Sequence, residues 1–347
     1  MKIAHHTIDP GAPPFIIAEM SGNHNQSLDK ALEIVEAAAK AGAQALKLQT
    51  YTADTMTLDI NEGEFFIEDE QSPWKGKSLH DLYTLAHTPW EWHAPIMERA
   101  RELGMICFST PFDRSAVDFL ENLGVPAYKI ASFEIVDLPL IRYIAEQGKP
   151  IILSTGMATL AEIDEAVRTI REAGNDQIAL LKCTSAYPAP PEEMNLKTIP
   201  HLAAAFGAPV GLSDHTLGIA TSVAAVALGA CIIEKHFTLS RADPGPDSAF
   251  SLEPHEFKAM VDAVRETEKA LGTVCYDVSE HETASRVFRR SLFAVRDIEA
   301  GEVFTEENVR SIRPGYGLPP KYLSVVLGRR AAGKITRGTP LSWDLIL

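Results

Sequence analysis

Two histidines stand at matching places in one stretch of the chain. Residues 210–238 read VGLSDHT, then an alanine-rich segment, then CIIEKHFT, so two apolar runs each end in a polar cluster holding a histidine, His215 and His236. The segment between them, 219–229, has the length and composition of one helix, and the stretch reads strand–helix–strand. The two strands of such a unit lie parallel. Both imidazoles would then emerge at the same edge of a sheet, where they can share one divalent cation. No thiolate or other soft ligand is expected beside them. Two structural histidines, each satisfied by backbone groups, is the alternative that this stretch leaves open.

Other apolar runs end in the same way. FIIAEM (15–20) closes on Glu19, ALKLQT (45–50) carries Lys47 and Gln49, and MICFST (105–110) closes on Thr110. AYKIAS (127–132) carries Lys129 and Ser132 just ahead of Glu134, and PIILST (150–155) carries Ser154 and Thr155. IALLKCT (178–184) carries Lys182 and runs on to Ser185 and Tyr187; Ser213, Asp214, Glu234 and Lys235 complete the set. A charge inside an apolar run is costly unless it is paired or liganded. Lys47, Lys129 and Lys182, with hydroxyls from Thr110, Ser132, Ser154 and Ser213, would cradle a phosphate and a carboxylate. A structural ion pair is the competing reading of any one lysine. Glu19 and Glu134 are candidate acid–base groups, or partners of those lysines. Tyr187 and Asp247, on loops after the sixth and eighth strands, can hydrogen-bond a polyhydroxylated substrate; an exposed turn in PGPDS explains Asp247 equally well.

The elements that must carry these residues alternate regularly. Helical patterns fall at 27–41, 92–103, 115–123, 138–146, 160–173, 198–206, 219–229 and 254–271, and Thr159-x-x-Glu162 is a capping box for the fifth. Near-continuous apolar strands imply burial on both faces. Eight such strand–helix units over about 270 residues match an α/β fold, a closed (β/α)8 TIM barrel with its site at the C-terminal strand ends. A doubly wound open sheet is the runner-up, but no G-x-G-x-x-G follows the first strand. Residues 53–90 break the rhythm and read as an inserted loop long enough to cover a site. The expected organisation is a barrel domain over 1–272, a linker over 273–284 and a small β-rich module over 285–347.

Composition bounds the partners. The 347 residues are 46% hydrophobic and 23% charged, with a formal net charge of −15. An acidic surface argues against nucleic acid and anionic membrane as partners. No run of 18 apolar residues occurs and residues 1–10 lack a signal-peptide pattern, so a cytoplasmic protein is expected. Of the four cysteines, Cys107, Cys183 and Cys231 fall inside predicted strands and read, with Cys275, as reduced residues without chemistry.

The motifs AEMSGNHNQSLDKA, ALKLQTYTADTMTL, STPFD, YKIASFE, STGMAT, LKCTSAYP, GLSDHTLGI, EKHFTL and FSLEPHEFKAMVDAVR occur in that order. Together they resemble the bacterial sialic acid synthase family. FRRSLFAVRDI, RPGYGLPP and GKITRGTPL are similar to that family's antifreeze-like (SAF) domain, so the resemblance spans nearly the whole chain. EFF, WKGKSLHDLY, TPWEWH and STPFDRSAVDFL look most like the pseudaminic branch. KLQ at 47–49 and Ser185 agree with that branch, whereas GPD at 245–247 resembles the N-acetylneuraminate branch. The legionaminic branch stays open.

The resemblance implies condensation of phosphoenolpyruvate with an acetamido sugar and release of phosphate. It implies a divalent metal on His215 and His236, Mn²⁺ first, with Mg²⁺ or Co²⁺ as alternatives. It places phosphoenolpyruvate on Lys47, Thr110, Lys129, Ser132, Ser154 and Ser213, with Glu134 near C2 and Glu19 near the sugar or a metal-bound water. It also implies a domain-swapped homodimer in which the SAF domain of one chain lends Arg313 to the other's site. Two other classes remain: a barrel aldolase using a Schiff-base lysine, which needs no metal, and a non-catalytic carbohydrate-binding protein.

Overall fold

The computed structural model describes residues 1–70 and 74–347, and the chain divides into two compact units, Met1–Gly272 and Thr273–Leu347. In the first, eight parallel strands close into a barrel. They are β1 (Phe15–Glu19), β2 (Ala45–Thr50), β3 (Ile106–Pro111), β4 (Tyr128–Ile130), β5 (Ile151–Ser154), β6 (Ile178–Cys183), β7 (Val210–Asp214) and β8 (Ile232–His236). Sequential strands are neighbours, and β8 closes the ring on β1. The helices α1 (Leu28–Ala41), α2 (Trp90–Glu102), α3 (Arg114–Leu123), α4 (Leu138–Ala145), α5 (Leu160–Glu172), α6 (Thr198–Phe206), α7 (Ala220–Ala227) and α8 (Pro254–Leu271) follow the strands in turn.

The strand alternation of two residues per repeat decides what lines the barrel. Phe15, Ile17, Ala45, Ile106, Phe108, Ala127, Ile152, Ala179, Leu181 and Ile232 pack together inside the ring, with Ile3 and Ile8 of a short N-terminal hairpin against them. Leu46, Leu48, Leu153, Leu180, Leu212 and Ile233 face the other way, onto the helices. Each inward column thus begins apolar and turns polar at its C-terminal end: Phe15 and Ile17 lead to Glu19, Ala45 to Lys47 and Gln49, Ile232 to Glu234 and His236. The closed bottom is a core; the open top is a site.

Local signals set the helices. Ser27 caps α1 by accepting from Lys30 N, and Gly42 ends it in the left-handed region at φ 94°. The expected Thr159–Glu162 capping box opens α5. The insert at 53–90 carries two short helices, Ala53–Met56 and Leu79–Ala86, while its residues 71–73 lie outside the described ones. Gln26 Nε2 ties the insert down, donating to Leu85 O at 3.1 Å and His87 O at 2.7 Å. At Gly22 a Cβ would fall 2.6 Å from Pro246 Cγ and 3.0 Å from Ala86 O. Only glycine lets the loop after β1 pass between the insert and the loop after β8.

Two buried histidines near this seam are held neutral. His24 Nδ1 accepts from Gln26 N at 3.2 Å, leaving Nε2–H to donate to Thr88 Oγ1 at 3.1 Å. His93 Nδ1–H points at Pro89 O at 3.3 Å, so Nε2 accepts from the Thr50 hydroxyl at 2.8 Å. Burial brings each from the ordinary 6.5 down to about 4. A depressed imidazole leaves stability intact above pH 6.5; the unfolded chain then takes up protons first as pH falls, and the loss is complete near pH 4. The expected loss across that window is on the order of 3 kcal/mol per histidine. Urea midpoints measured at pH 7 and pH 4.5 check this: the difference should shrink in His93→Gln.

The second unit has its own small core of Leu292, Ala294, Ile298, Phe304, Val309, Leu318, Val326, Ala331, Ile335 and Leu341. Its strands β9 (Ser291–Ala294) and β10 (Val309–Ile312) pair antiparallel, and isolated bridges extend the β character. Residues 273–284, expected as a linker, include a helical turn, Glu280–Thr283, with Ser279 and Glu282 as a capping box. Among the described residues no helix is long and apolar enough to cross a membrane.

Candidate active site

At the C-terminal mouth of the barrel, strand register puts opposite charges side by side. Glu19 lies across from Lys47 on β2 and from His236 on β8. Lys47 Nζ touches the Glu19 carboxylate and lies 3.9 Å from Glu234 Oε1 and 3.4 Å from Thr110 Oγ1. Lys129 Nζ approaches the same Glu234 oxygen at 3.7 Å, and Ser213 donates to it at 3.2 Å. Gln49 fixes Glu19 from the side, Nε2 donating to Oε1 at 3.1 Å and to Ser21 Oγ at 3.2 Å. Glu234 is the hub, a role that sequence reading had not given it, although it interrupts CIIEKH as plainly as the lysines interrupt their runs.

The electrostatics follow from this packing. Burial works against the Lys47 ammonium, but Glu19 and Glu234 outweigh it and hold the group above its ordinary value. Lys129 goes the other way: burial lowers it despite the pull of Glu234. Burial pushes the Glu19 carboxyl up against the opposing Lys47. Two carboxylates and two ammonium groups thus pair at the buried mouth, and an anion entering there would compete with Glu19 and Glu234 for the lysines.

Hydroxyls form the next wall. Ser132 Oγ accepts from Gly156 N at 3.0 Å, and Ser154 Oγ is buried with no protein partner. A Cβ on Gly156 would lie 2.2 Å from Ser185 Oγ and 2.7 Å from Ser132 Oγ, so glycine is what allows the STG turn to close on those hydroxyls. The partnerless Ser154 hydroxyl, the Ser132 hydroxyl and the Lys129 ammonium are donors that an anion could use.

The two histidines converge as expected, their ring centroids 5.4 Å apart. His215 Nδ1–H donates to Thr184 O at 3.0 Å, which leaves Nε2 with a bare lone pair. His236 is buried, its Nδ1 has no protein partner, and burial holds the ring well below its ordinary value and therefore neutral. Burial works against a charged His215 ring, but Cys183 and the Thr184 carbonyl outweigh it and raise the group above its ordinary value. His215, aimed by a backbone carbonyl, and His236, with an orphaned buried nitrogen, fit a divalent cation that takes the place of the His215 proton. Tyr187 covers them, 4.4 Å from His215 and 6.4 Å from His236 between centroids, with Phe250 behind it at 5.1 Å. Cys183 corrects an expectation. It sits on the inward face of β6 with Sγ 3.9 Å from His215 Nδ1 and 3.8 Å from Ser185 Oγ, so a thiol does stand beside the imidazoles.

Glu134 sits in a 3-10 turn, Ser132–Val136, after β4, its Oε2 buried without a partner. Burial pushes its carboxyl up to about 7 against the attraction of Lys129. If ionised Glu134 serves the reaction, kcat/KM should rise with pH up to about 7 and then level, and Glu134→Gln should flatten that limb. A pH–rate profile of both enzymes checks this.

The remaining expected residues divide. Asp247 joins the site: it is half-buried, and its carboxylate pairs with the Ser21 hydroxyl next to Glu19. Lys182 does not join the lysine cradle. It shares the outward parity of Leu180, and its Nζ is used by Cys183 O at 2.7 Å and Thr184 Oγ1 at 3.1 Å. Asp214 and Lys235 likewise face outward and pair with each other. Arg313 lies in the second unit, exposed, just after β10.

A closed (β/α)8 barrel whose C-terminal mouth gathers paired lysines, hydroxyls and two imidazoles has the architecture of a barrel enzyme. The chain belongs to the NeuB family, whose profile matches residues 34–276, and a SAF domain matches residues 289–347. It is 49% identical to a pseudaminic acid synthase of Campylobacter jejuni, over 94% of this chain and 95% of that one. It is 46% identical to a pseudaminic acid synthase of Helicobacter pylori, over 96% and 97% respectively. The crystal structure of an N-acetylneuraminic acid synthetase from Leptospira borgpetersenii, in complex with citrate, superposes with a TM-score of 0.73 at 32% identity, covering 82% of this chain and 94% of that one.

Proposed function

We propose that this chain is a pseudaminic acid synthase. It condenses phosphoenolpyruvate with 2,4-diacetamido-2,4,6-trideoxy-β-L-altropyranose and water to give pseudaminic acid and phosphate. The observation that carries the reading is the full-length identity to two pseudaminic acid synthases combined with a mouth that offers lysines and imidazoles side by side.

Lys47, Lys129 and the Ser132–Ser154 corner bind the phosphate and carboxylate of the enol. His215 and His236 would hold a divalent cation, Mn²⁺ first, which when bound supplies Lewis-acid polarisation of the open-chain sugar's aldehyde. C3 of the enol attacks the aldehyde carbon, a C–C bond forms, and the aldehyde oxygen takes a proton. Positive charge develops at C2, where Glu134 stabilises it, while Glu19 faces the sugar. Water adds to C2 and gives up its protons; the C2–O bond to phosphate breaks, and the 2-keto acid and inorganic phosphate leave. Tyr187, Gln49, Ser185 and Asp247 orient the sugar. The barrel floor beneath excludes bulk water, which strengthens each charge contact.

The test is to offer phosphoenolpyruvate with the altrose derivative, the legionaminate precursor and N-acetylmannosamine separately, and to weigh the products. Pseudaminic acid as the preferred product supports the reading; preferred turnover of either other sugar assigns a sister synthase. A Schiff-base aldolase would instead be trapped with pyruvate by borohydride.

The working unit is a cytoplasmic homodimer in which Arg313 of one chain completes the sugar site of the other. Phe133, Val136, Met157, Leu160 and Leu217, each 54–62% exposed on the turns and the helix start beyond the strand ends, offer the apolar ground for a second copy. Mixing Arg313→Ala chains with His236→Ala chains should restore activity that neither has alone. Random reassortment would complete about a quarter of the sites. A mixture no more active than its parts would place the arginine in its own chain's site.

A further inference from the structure

The outward faces of β7 and β8 carry a buried polar structure that the reaction does not use. Asp214 and Lys235 are register partners on adjacent parallel strands. Lys235 Nζ lies 2.9 Å from Asp214 Oδ2, with side chains only 1% and 0% exposed. Lys235 also donates to Thr216 O at 2.6 Å. Asp214 Oδ1 accepts from Thr216 N at 2.9 Å and Thr216 Oγ1 at 2.8 Å. Its Oδ2 accepts from Thr221 Oγ1 at 2.8 Å and Ser222 Oγ at 2.7 Å, both on α7. One carboxylate and one ammonium thus lock the end of β7, the turn after it and the first turn of α7 onto β8.

Each member of the pair precedes a histidine: Asp214 is followed by His215, Lys235 by His236. Neighbouring residues of a strand point to opposite faces, so fixing an outward side chain fixes the backbone that aims the inward one. A buried ion pair is weak evidence for stability, because apolar residues of similar size often serve as well. Among the described residues, the other ion pairs this deeply buried are those of Lys47 and Lys129 in the mouth. The Asp214–Lys235 pair has no access to substrate, yet it sits at the root of both imidazoles.

We infer that Asp214 and Lys235 are positioning residues for the cation site: they set the separation and aim of His215 and His236 without touching the ion. This rests on the reading that the two histidines share a divalent cation. Removing such supporting contacts lowers metal affinity about 10–100-fold. The test is the double variant Asp214→Asn/Lys235→Met, which leaves no unpaired charge behind, measured as the full-length protein. Expected are a native circular-dichroism spectrum, a Mn²⁺ dissociation constant raised at least tenfold by calorimetry, and a phosphoenolpyruvate KM changed less than threefold. Mn²⁺ affinity within twofold of the parent overturns the inference. Should the double variant not fold, Thr221→Val/Ser222→Ala removes two donors to Asp214 and keeps the pair; Mn²⁺ affinity at least threefold weaker is expected, and an unchanged value overturns the inference. Should the parent itself bind no Mn²⁺, the metal reading fails, and metal-free crystal structures judge the pair: shifted imidazoles in the double variant support it, unmoved ones overturn it.

Discussion

His236→Ala is expected to lower kcat/KM about a thousandfold, roughly 4 kcal/mol of transition-state stabilisation, with the fold intact. The reasoning is geometric. His236 is buried beside His215, and its Nδ1 has no protein partner. Truncation therefore breaks no hydrogen bond of the fold, while it removes one of two nitrogens available to an ion. A buried methyl in place of a neutral ring leaves a cavity at the mouth, where Tyr187 and Phe250 can relax. The thermal midpoint should move by only a few degrees, whereas the midpoint increase that Mn²⁺ confers on the parent should vanish. Parallel steady-state and thermal measurements in chelator-treated buffer separate the two effects; full turnover of the variant would remove His236 from the site.

Lys47→Met is expected to be comparably severe for a different reason. Lys47 neutralises Glu19 directly and lies 3.9 Å from Glu234. Deleting it leaves two buried carboxylates with only Lys129 between them, and breaking a buried pair from one side costs about 3–5 kcal/mol of stability. Burial already pushes Glu19 up against Lys47; without that ammonium the carboxyl should rise further. The same change removes a donor for the enol phosphate. The expected outcome is a phosphoenolpyruvate kcat/KM down about a thousandfold, mostly through KM, together with a lower urea midpoint. Lys47→Met/Glu19→Gln should recover most of the stability and little of the activity. Recovery of both would mark Lys47 as a structural ion-pair partner only.

The barrel was legible because each strand is an apolar run with a polar end, and because helix starts such as Thr159–Glu162 announce themselves. The histidine pair was legible for the same reason: 210–238 contains both strands and their crossover, so their adjacency follows from chain connectivity. What the reading missed lies in parity and register. Lys182 breaks its run as Lys47 does, but Ala179, Leu181 and Cys183 are the inward residues of β6, so Lys182 falls on the other face. Run counting cannot see which alternate residues face the barrel axis. Cys183 was set aside as core because its neighbour, His215, comes from a strand 32 positions away. Glu234 stood in plain sight, yet its role as hub depends on three strands meeting at one level.

The central claim is that one mouth holds a divalent cation and a phosphorylated enol side by side. Anomalous-scattering maps from crystals soaked with Mn²⁺ and phosphoenolpyruvate test it most directly. The account expects one manganese peak shared by His215 and His236, with the phosphorus within reach of Lys47, Lys129 and Ser154. Manganese bound away from both imidazoles, or phosphate lodged outside the barrel mouth, would contradict it.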